Sequence, residues 1–407
     1  MNLLVIHETE YINKMIFEYQ IIPEILATRG HNVVVIDYPS NWGKEKRVGL
    51  WSKPMRVENV SRAHKGNGIT LIRPGYVRYP VISRLSAFFN YYSLIESVIR
   101  EYKIDKILLY SVPTNGIQTI RLARKYHIPV IFRALDVLHE IIPSKLLRLP
   151  TLWAESYIYR HVEKISATTP KLVDYVARFG ARREKCSYLP TGADSDLFFY
   201  KPKDPALMAR WGFAPTDIVL LFAGTLYAFS GLDRIIREMP NHIKNNPNIK
   251  LLIVGSGEQS TELHRLVNTL GMTQRVVFTG FIEYPELPHY INLADICINP
   301  FERNAITTPI FPGKVVQYLA CEKPVLSTRL IGMLDRFPDI GGSNNIYYYK
   351  DTEEFYNLIP QIRLDRFSNP TMSIKDITQL LETQLVNTIA QNDSIGIAKD
   401  RRSGVSS

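Results

Sequence analysis

The sequence predicts an α/β protein with two Rossmann-like domains that face a central cleft. Three observations support this fold class. Short apolar runs typical of buried strands alternate with segments of helical period, as expected for βαβ units around a parallel sheet. The alternation restarts after residues 191–215, a stretch rich in Asp, Pro and Gly that is typical of an interdomain linker. The 407 residues suffice for two or three domains of about 150 residues each.

The first half alternates five strand-like runs with helical segments. The predicted strands are Leu3–His7, Asn32–Asp37, Lys106–Ser111, Val130–Arg133 and Lys164–Ala167. The predicted helices are Lys14–Arg29, Ile82–Tyr102, Thr114–Tyr126, Leu146–Val162 and a fifth that begins at Thr169-Pro170 and ends near Phe179. These elements predict an N-terminal, acceptor-binding domain over residues 1–197.

The second half repeats the pattern. The predicted strands are Ile218–Ala223, Ile249–Val254, Arg275–Thr279, Ile296–Pro300 and Pro324–Ser327. The predicted helices are Leu232–Met239, Thr261–Leu270, Glu286–Leu293 and Gly313–Ala320. They predict a C-terminal, nucleotide-binding domain over residues 205–370. A further helix at 374–390 is expected to pack back on the first domain, and the polar tail 391–407 is expected to be disordered.

The composition excludes several classes of protein. With 45% hydrophobic and 22% charged residues, the chain has the balance of a globular protein. No apolar run reaches the ~18 residues of a membrane-spanning helix, and the first residues lack the pattern of a signal peptide. Cys186, Cys297 and Cys321 are too few and too widely spaced for a disulfide framework or a CxxC metal site. We therefore expect a cytoplasmic protein.

The net charge of +10 favours partners that carry phosphate. No zinc-finger spacing or RNA-binding motif is present, so nucleic acid is not expected as a partner. Residues 73–106 combine basic and aromatic side chains, which fits either an anionic membrane surface or a helix that packs its aromatic residues on a sheet. The first interpretation predicts a peripheral location at the inner face of the cell membrane.

The segment from Phe311 to Thr328 contains the strongest signal. Pro312-Gly313 begins a predicted helix, whose free N–H groups and positive dipole end favour an anion. Lys314 adds a positive charge in the first turn of this helix. Taken alone, the segment fits either an anion site or a core helix with one solvated lysine.

This segment resembles the PxK-x-x-E-Y-x-A-x-G-x-P-V signature of the family 4 retaining glycosyltransferases of the GT-B fold (glycosyltransferase group 1 type). Further segments resemble motifs of that family in the same order: Arg29-Gly30-His31-Asn32-Val33, Leu189-Pro190-Thr191-Gly192-Ala193-Asp194, Phe222-Ala223-Gly224-Thr225, Leu252-Ile253-Val254-Gly255-Ser256-Gly257-Glu258 and Val276-Val277-Phe278-Thr279-Gly280-Phe281. The resemblance covers residues 1 to about 360. It implies a GT-B fold and transfer of a sugar from a nucleotide-sugar.

The resemblance also implies a donor-binding set in the second domain. Its members are Gly224, Thr225, Gly255, Gly257, Glu258, Phe281, Ile282, Lys314 and Gln317. Gln317 stands where the family usually has an acidic residue, and Pro309 stands in place of a second acid upstream. The loop after Gly224 offers Thr225 and Ser230 where the family commonly has Arg or Lys. Lys314 therefore carries much of the positive charge expected against a diphosphate.

Four polar residues of the first domain follow predicted strands and are expected at the cleft. Asp136 matches an acid of the family motif, and together with His139 it is predicted to orient the acceptor or the reacting sugar. The alternative is that Asp136 caps a helix that begins at Val137. His7 and Glu8 are predicted on the acceptor side, with ordinary loop polarity as the alternative. The predicted catalytic set is Asp136, His139 and Lys314.

No metal site is predicted. Asp194-Ser195-Asp196 spells the DxD of metal-dependent transferases but lies in the linker, and His139-Glu140 lacks the second histidine of HExxH. No cofactor is expected besides the nucleotide-sugar co-substrate. The resemblance thus implies a retaining transferase, which we expect to be metal-independent and to act on a hydroxyl acceptor such as a glycan or a lipid-linked alcohol. Two alternatives stay open: a nucleotide-sugar 2-epimerase of GT-B fold, and a catalytically inactive sugar-nucleotide-binding protein.

Overall fold

A computed structural model describes residues 1–13, 16–38, 51–64, 66, 68–77, 82–110, 114–142, 145–244, 246–364 and 372–390. The predicted tail 391–407 lies outside these residues. The described chain contains two large β-sheets, one in each half, with helices packed against them. Alternate residues of the first strand enter different buried clusters, Leu3 and Val5 in one and Leu4 and Ile6 in the other, so both faces of the first sheet are covered.

The first half has one eight-stranded sheet and a short two-stranded ribbon. Its strands are β1 (Asn2–Ile6), β2 (Asn32–Ile36), β3 (Trp51–Ser52), β4 (Met55–Val60), β5 (Ile69–Arg73), β6 (Tyr76–Val77), β7 (Lys106–Leu109), β8 (Val130–Ala134), β9 (Lys164–Ala167) and β10 (Cys186–Tyr188). Its helices are α1 (Glu18–Thr28), α2 (Ile82–Glu101), α3 (Gly116–Lys125), α4 (Leu138–Ile141), α5 (Lys145–His161) and α6 (Pro170–Arg178). The sheet order is β10-β9-β8-β7-β1-β2-β5-β4, and β3 pairs with β6.

The second half has a six-stranded parallel sheet. Its strands are β11 (Ile218–Ala223), β12 (Ile249–Val254), β13 (Val276–Gly280), β14 (Ile296–Asn299), β15 (Val325–Thr328) and β16 (Ile346–Tyr349). Its helices are α7 (Pro205–Arg210), α8 (Leu232–His242), α9 (Ser260–Thr269), α10 (Leu287–Leu293), α11 (Lys314–Ala320), α12 (Ile331–Leu334) and α13 (Thr352–Leu358). A last helix, α14 (Ile374–Asn387), follows them in the sequence. The order β13-β12-β11-β14-β15-β16 reverses direction at β11, which opens a crevice at its carboxyl end.

Residues 51–77 contain four strands that the sequence did not predict. β4 is antiparallel to β5 and lies at the sheet edge, with Arg56, Val57, Glu58 and Asn59 exposed. An exposed edge strand with charged residues lacks the apolar run or clean alternation from which strands are recognised. The sequence predicts that the first helix begins at Lys14, a residue outside the described ranges, whereas α1 begins at Glu18.

The 73–106 stretch is divided between the core and the surface. Tyr76 and Tyr91 are buried, and Arg73 forms a bidentate pair with Asp37 at 2.6 and 2.8 Å. Phe89 and Tyr92 are exposed on α2. Arg78 and Tyr79 lie outside the described residues. Membrane binding by this stretch stays a prediction. Among the described helices, none combines the length and apolar character required to span a bilayer.

A buried ion pair joins three elements of the first half. Arg133 of β8 donates to Glu18 of α1 through Nε at 2.6 Å and Nη2 at 3.0 Å, and both side chains are within 1% of complete burial. Arg133 Nη1 also donates to the carbonyl of Leu189 at 2.6 Å. The pair thereby fixes the start of α1 to the sheet and to the chain segment after β10.

The chain crosses between the halves twice at one place. The first crossing follows β10, and the second precedes α14. Ala193 and Ser373 form a parallel bridge, and Ile374 N–H donates to the Ala193 carbonyl at 2.8 Å. A Cβ on Gly192 would lie 2.6 Å from the Met372 carbonyl oxygen, so this close approach requires glycine. α14 then packs on α1 of the first half, where Glu382 contacts Arg29.

Candidate active site

Three loops of the second half meet at the carboxyl ends of adjacent strands. Gly224 and Thr225 follow β11, the segment 255–258 follows β12, and Phe281 and Ile282 follow β13. Backbone hydrogen bonds connect them: Gly224 N–H donates to Val254 at 2.9 Å, and Gly255 N–H donates to Gly280 at 2.8 Å. The structure therefore brings seven of the nine predicted donor-binding residues to one sheet edge.

Two glycines allow these loops to pack backbone to backbone. Gly255 has φ +128°, and a Cβ there would lie 2.1 Å from the Gly224 carbonyl oxygen. A Cβ on Gly257 would lie 2.5 Å from the Leu226 carbonyl oxygen. Glu258 accepts a hydrogen bond from Ala228 N–H at 3.2 Å, which connects the second loop to the first. Any side chain at Gly255 or Gly257 would clash with the neighbouring loop, so at these two positions the sheet edge presents backbone.

Lys314, the first residue of α11, extends its side chain to this sheet edge. Its Nζ lies 3.6 Å from the centre of the Phe222 ring and 4.2 Å from the centre of the Phe301 ring. A Cβ on Gly224 would lie only 3.4 Å from the same Nζ. The ammonium is thus held between two aromatic faces directly behind the first loop.

The Lys314 ammonium is buried and has no hydrogen-bond acceptor among the described residues. Burial lowers the pKa of Lys314 well below its usual value. A buried cation without an acceptor is unfavourable, and the two ring contacts offset only part of the lost hydration. A bound anion would supply the missing partner and would raise this pKa again.

The other polar residues predicted near the donor have local partners. Ser230 accepts from Tyr227 N–H at 3.0 Å and donates to the Thr225 carbonyl at 3.4 Å, so its hydroxyl stabilises its own loop. A contact between Ser230 and a phosphate stays a prediction. Gln317 lies one turn after Lys314, beside the hydroxyl of the buried Tyr284.

Asp136 is placed at the carboxyl end of β8, facing the second half. α4 begins at Leu138 with Val137 as its N-cap residue and without a side-chain capping bond, so Asp136 is not a helix cap. Burial raises the pKa of Asp136 to about 6. Burial and, to a smaller extent, the Asp136 charge also raise the pKa values of Tyr19 and Tyr227. Because Tyr227 belongs to the loop after β11, Asp136 lies across the cleft from the donor loops.

His139 has different surroundings from Asp136. Its Nδ1 lies 2.8 Å from Glu155 Oε2 and 2.7 Å from the Tyr175 hydroxyl, and its ring stacks on Tyr175. These contacts fix the imidazole against α5 and α6. The ring lines a cavity of about 540 Å³ between α4, α6 and residues 304–309 of the second half.

His7 and Glu8 follow β1 but face different neighbours. Burial lowers the pKa of His7 to about 4, and its Nε2 has no partner among the described residues. Thr9 N–H donates to its Nδ1 at 3.3 Å, which favours a neutral ring with the proton on Nε2. Glu8 accepts from Thr114 N–H at 2.6 Å and from Thr114 Oγ1 at 3.0 Å, so it fixes the loop before α3. The acceptor role of both residues stays a prediction.

The site includes aromatic residues that the sequence analysis missed. Phe222 and Phe301 enclose Lys314, and Phe17 approaches so closely that a Cβ on Gly313 would lie 2.6 Å from its Cε2. Phe17 and Tyr19 stand where β1 passes into α1. Loops that follow parallel strands lie at the carboxyl edge of the sheet, where ligands bind. This rule could have indicated that residues 8–19, which follow β1, lie near the site.

The DxD segment has structural partners in the described chain. Asp194 lies 3.7 Å from His64 Nε2, and Asp196 pairs with Lys375 of α14. Within the ranges given above, no group of three or more His, Cys, Asp or Glu side chains could hold a metal ion.

Two domain families match the two halves of the chain. Residues 24–197 match the family described as Glycosyltransferase Family 4, and residues 217–363 match Glycosyl transferases group 1. Both halves belong to glycosyltransferase families. Together they give the domain composition of the GT-B enzymes that the sequence motifs resemble.

Individual relatives agree with this assignment. A GDP-mannose-dependent phosphatidylinositol monomannoside mannosyltransferase of Mycolicibacterium smegmatis is 32% identical over 146 residues, which are 35% of this chain and 38% of that protein. The alpha-monoglucosyldiacylglycerol synthase of Acholeplasma laidlawii is 21% identical over 64% of this chain and 67% of its own length. The first three curated relatives are matched over less than half of their length.

The fold has close counterparts among solved structures. The structure of Anabaena HepE in complex with UDP and glucose superposes with a TM-score of 0.70 at 18% identity, over 95% of this chain and all of that one. This similarity confirms the GT-B arrangement of two Rossmann-like halves that the sequence predicted.

Proposed function

We propose that the protein is a retaining glycosyltransferase that moves a sugar from a nucleotide-sugar to a hydroxyl acceptor without a metal ion. One observation carries this proposal. The buried ammonium of Lys314 has no acceptor in the described part of the chain and lies behind Gly224, at the strand where the order of the second sheet reverses. A nucleoside diphosphate is the anion that both the fold and the matched families lead us to expect there.

The chemistry requires a site that stabilises a leaving diphosphate. In the proposed complex, Lys314 pairs with this group while the backbone of the loops after β11 and β12 lines it. Stabilisation of developing negative charge in a water-poor site is usually the largest protein contribution to such a reaction. Asp136, on the opposite wall, would accept hydrogen bonds from hydroxyls of the reacting sugar or of the acceptor.

The acceptor is proposed to be a glycan or a lipid-linked hydroxyl. The names of two relatives, a phosphatidylinositol monomannoside mannosyltransferase and a monoglucosyldiacylglycerol synthase, describe enzymes of lipid glycosylation. The positive net charge of this chain is compatible with such an acceptor near anionic headgroups.

A thermal-shift screen with UDP-, GDP- and ADP-sugars tests the donor part of this proposal. A specific donor at about 100 times its Kd is expected to stabilise the fold by about 2.7 kcal/mol and to raise Tm by a few degrees. The same donor should then be consumed only when an acceptor alcohol is present, with retention of anomeric configuration in the product. Turnover without an acceptor would indicate an epimerase, and no shift with any nucleotide-sugar would contradict the proposal.

Asp136 gives a pH-dependent test. If its carboxylate must be ionised, kcat/KM for transfer is expected to fall about tenfold per pH unit below pH 6, in line with the pKa of about 6. Asp136→Asn should lose most activity at pH 7 and show no such step. The matched control is Glu353→Gln, which changes an exposed carboxylate on α13 and should keep the wild-type profile.

Asp136→Asn is expected to lower activity but to raise the stability of the fold. Because the pKa of Asp136 is higher in the folded protein than the ordinary value of 3.8, the folded state binds this proton more tightly than the unfolded chain. Stability is therefore lost as pH rises from about 4 to 6, and Asp136→Asn should raise the free energy of unfolding at pH 7. A destabilised, inactive Asp136→Asn protein would argue for a structural role instead.

A further inference from the structure

Large apolar side chains are exposed along one face of α5. Leu146 is 88% exposed, Leu149 75% and Trp153 64%. Their spacing of three and four residues places them on one side of the helix. Ile141, at the end of the preceding α4, is 41% exposed. We call these four residues the α5 apolar face.

The exposure of these side chains does not arise from loose packing of α5, because the later turns of the helix are buried. Ala154, Ile158 and Tyr159 are at most 5% exposed and belong to the core of the first half. The later turns of α5 are therefore anchored, and its first turns project apolar groups outward. A cluster of exposed Leu and Trp side chains is unfavourable in water and indicates a surface that contacts a membrane or another protein.

One basic residue lies in α5 beside this face, and two more lie on the neighbouring α6, in a cavity that they share with Asp174 and Glu140. Arg148, between Leu147 and Leu149, donates to Glu140 at 3.1 Å and to the Ile142 carbonyl at 3.0 Å. Lys171 and Arg178 of α6 are exposed and line the same cavity as Glu140. The chain as a whole carries a net charge of +10. Apolar residues with Trp, bordered by cations, match the headgroup layer of an anionic membrane.

We propose that the α5 apolar face docks on an anionic lipid bilayer, with Leu146, Leu149 and Trp153 in the interface and Arg148 near lipid phosphates. A second protein copy fits these residues less well, because a stable protein interface usually takes 20–30 residues from each partner. Glu140 and Ile141 are adjacent in α4, so the docked face adjoins the cavity that His139 lines. This position would present a lipid-linked acceptor to the cleft, a purpose that rests on the proposed transferase function.

Vesicle flotation tests the docking without any sugar substrate. The full chain is expected to float with vesicles of 30% phosphatidylglycerol in phosphatidylcholine and to float weakly with pure phosphatidylcholine. Leu146→Ser/Leu149→Ser/Trp153→Ser should reduce the bound fraction at least about tenfold, while Trp153→Phe should retain binding. The matched control is Ile340→Ser/Leu364→Ser, which removes two exposed apolar side chains of the second half and should bind like the wild type.

Three other outcomes would contradict the docking proposal. Failure of the wild type to float, or flotation of the triple variant at the wild-type level, would exclude this face as a membrane contact. A wild-type dimer in size-exclusion chromatography that becomes monomeric in the triple variant, with no vesicle binding, would identify a self-interface instead. Activity with a water-soluble acceptor is measured in parallel. Flotation without transfer refutes only the proposed function, and transfer without flotation refutes only the docking.

Discussion

Lys314→Met is expected to lower the rate of sugar transfer about 30- to 1000-fold while the protein stays folded. The change removes the charge proposed to stabilise the leaving diphosphate, a contribution of about 2–4 kcal/mol to the barrier. It keeps the length of the side chain between Phe222 and Phe301. Steady-state transfer kinetics, corrected for hydrolysis of the donor, measure the effect.

The stability of this variant provides a second readout. None of the described residues accepts a hydrogen bond from the buried Lys314 ammonium, so a protein with an apolar side chain of similar shape should be at least as stable. The Tm of Lys314→Met should therefore equal or exceed that of the wild type, and the donor-induced shift should be lost. Lys244→Met, at an exposed position after α8, controls for the loss of one positive charge and should leave transfer unchanged.

Calorimetry can detect the Lys314 charge directly. Since burial lowers its pKa in the free protein and a diphosphate raises it again, donor binding should be accompanied by proton uptake at any pH at which the free side chain is partly deprotonated. The binding enthalpy of the donor would then depend on the ionisation enthalpy of the buffer in the wild type and not in Lys314→Met. Wild-type transfer rates in Lys314→Met would refute the role assigned to this residue.

Glu18→Ala is expected to be the most destabilising single change considered, with a loss of about 3–5 kcal/mol. Glu18 is the partner of Arg133 in a pair with at most 1% exposure, and its removal leaves a guanidinium buried beside the Leu189 carbonyl and the Ser166 hydroxyl. Urea unfolding, followed by circular dichroism, measures the shift of the transition in which the first half unfolds.

Two variants distinguish the pair from a general effect of mutation. Glu262→Ala breaks the exposed pair with Arg265 on α9 and should leave the urea midpoint unchanged. Glu18→Leu/Arg133→Met replaces both buried charges with apolar groups and should recover much of the stability lost in Glu18→Ala. If Glu18→Ala unfolds at the wild-type urea concentration, the pair does not hold α1 on the sheet.

The sequence predicts those elements that are buried and whose own residues form a recognisable apolar pattern. The strands around Val5 and Leu221 read as apolar runs because both faces of their sheets are covered. The exposed edge strand Met55–Val60 could not be recognised in this way, because its place in the sheet depends on pairing with β5 and not on its own residues.

The candidate site shows the same division. The glycine loops and Lys314 could be predicted because they occur in short local motifs that resemble those of a known family. The contacts of Ser230 within its loop and of His139 with Glu155 depend on residues that meet only after folding. The Phe222 and Phe301 rings around Lys314 come from the ends of two different strands, β11 and β14, and no local pattern indicates that they enclose one atom.

The paired chain crossings at Ala193 and Ser373 constrain how the two lobes can swing. Because both strands of the connection run side by side and are hydrogen-bonded, they act as one pivot instead of two independent tethers. α14 packs on α1, so it travels with the amino-terminal lobe although it follows the carboxy-terminal lobe in sequence. Cutting the chain ahead of Ser373 would remove one of these two covalent connections and leave the lobes joined through the segment after β10.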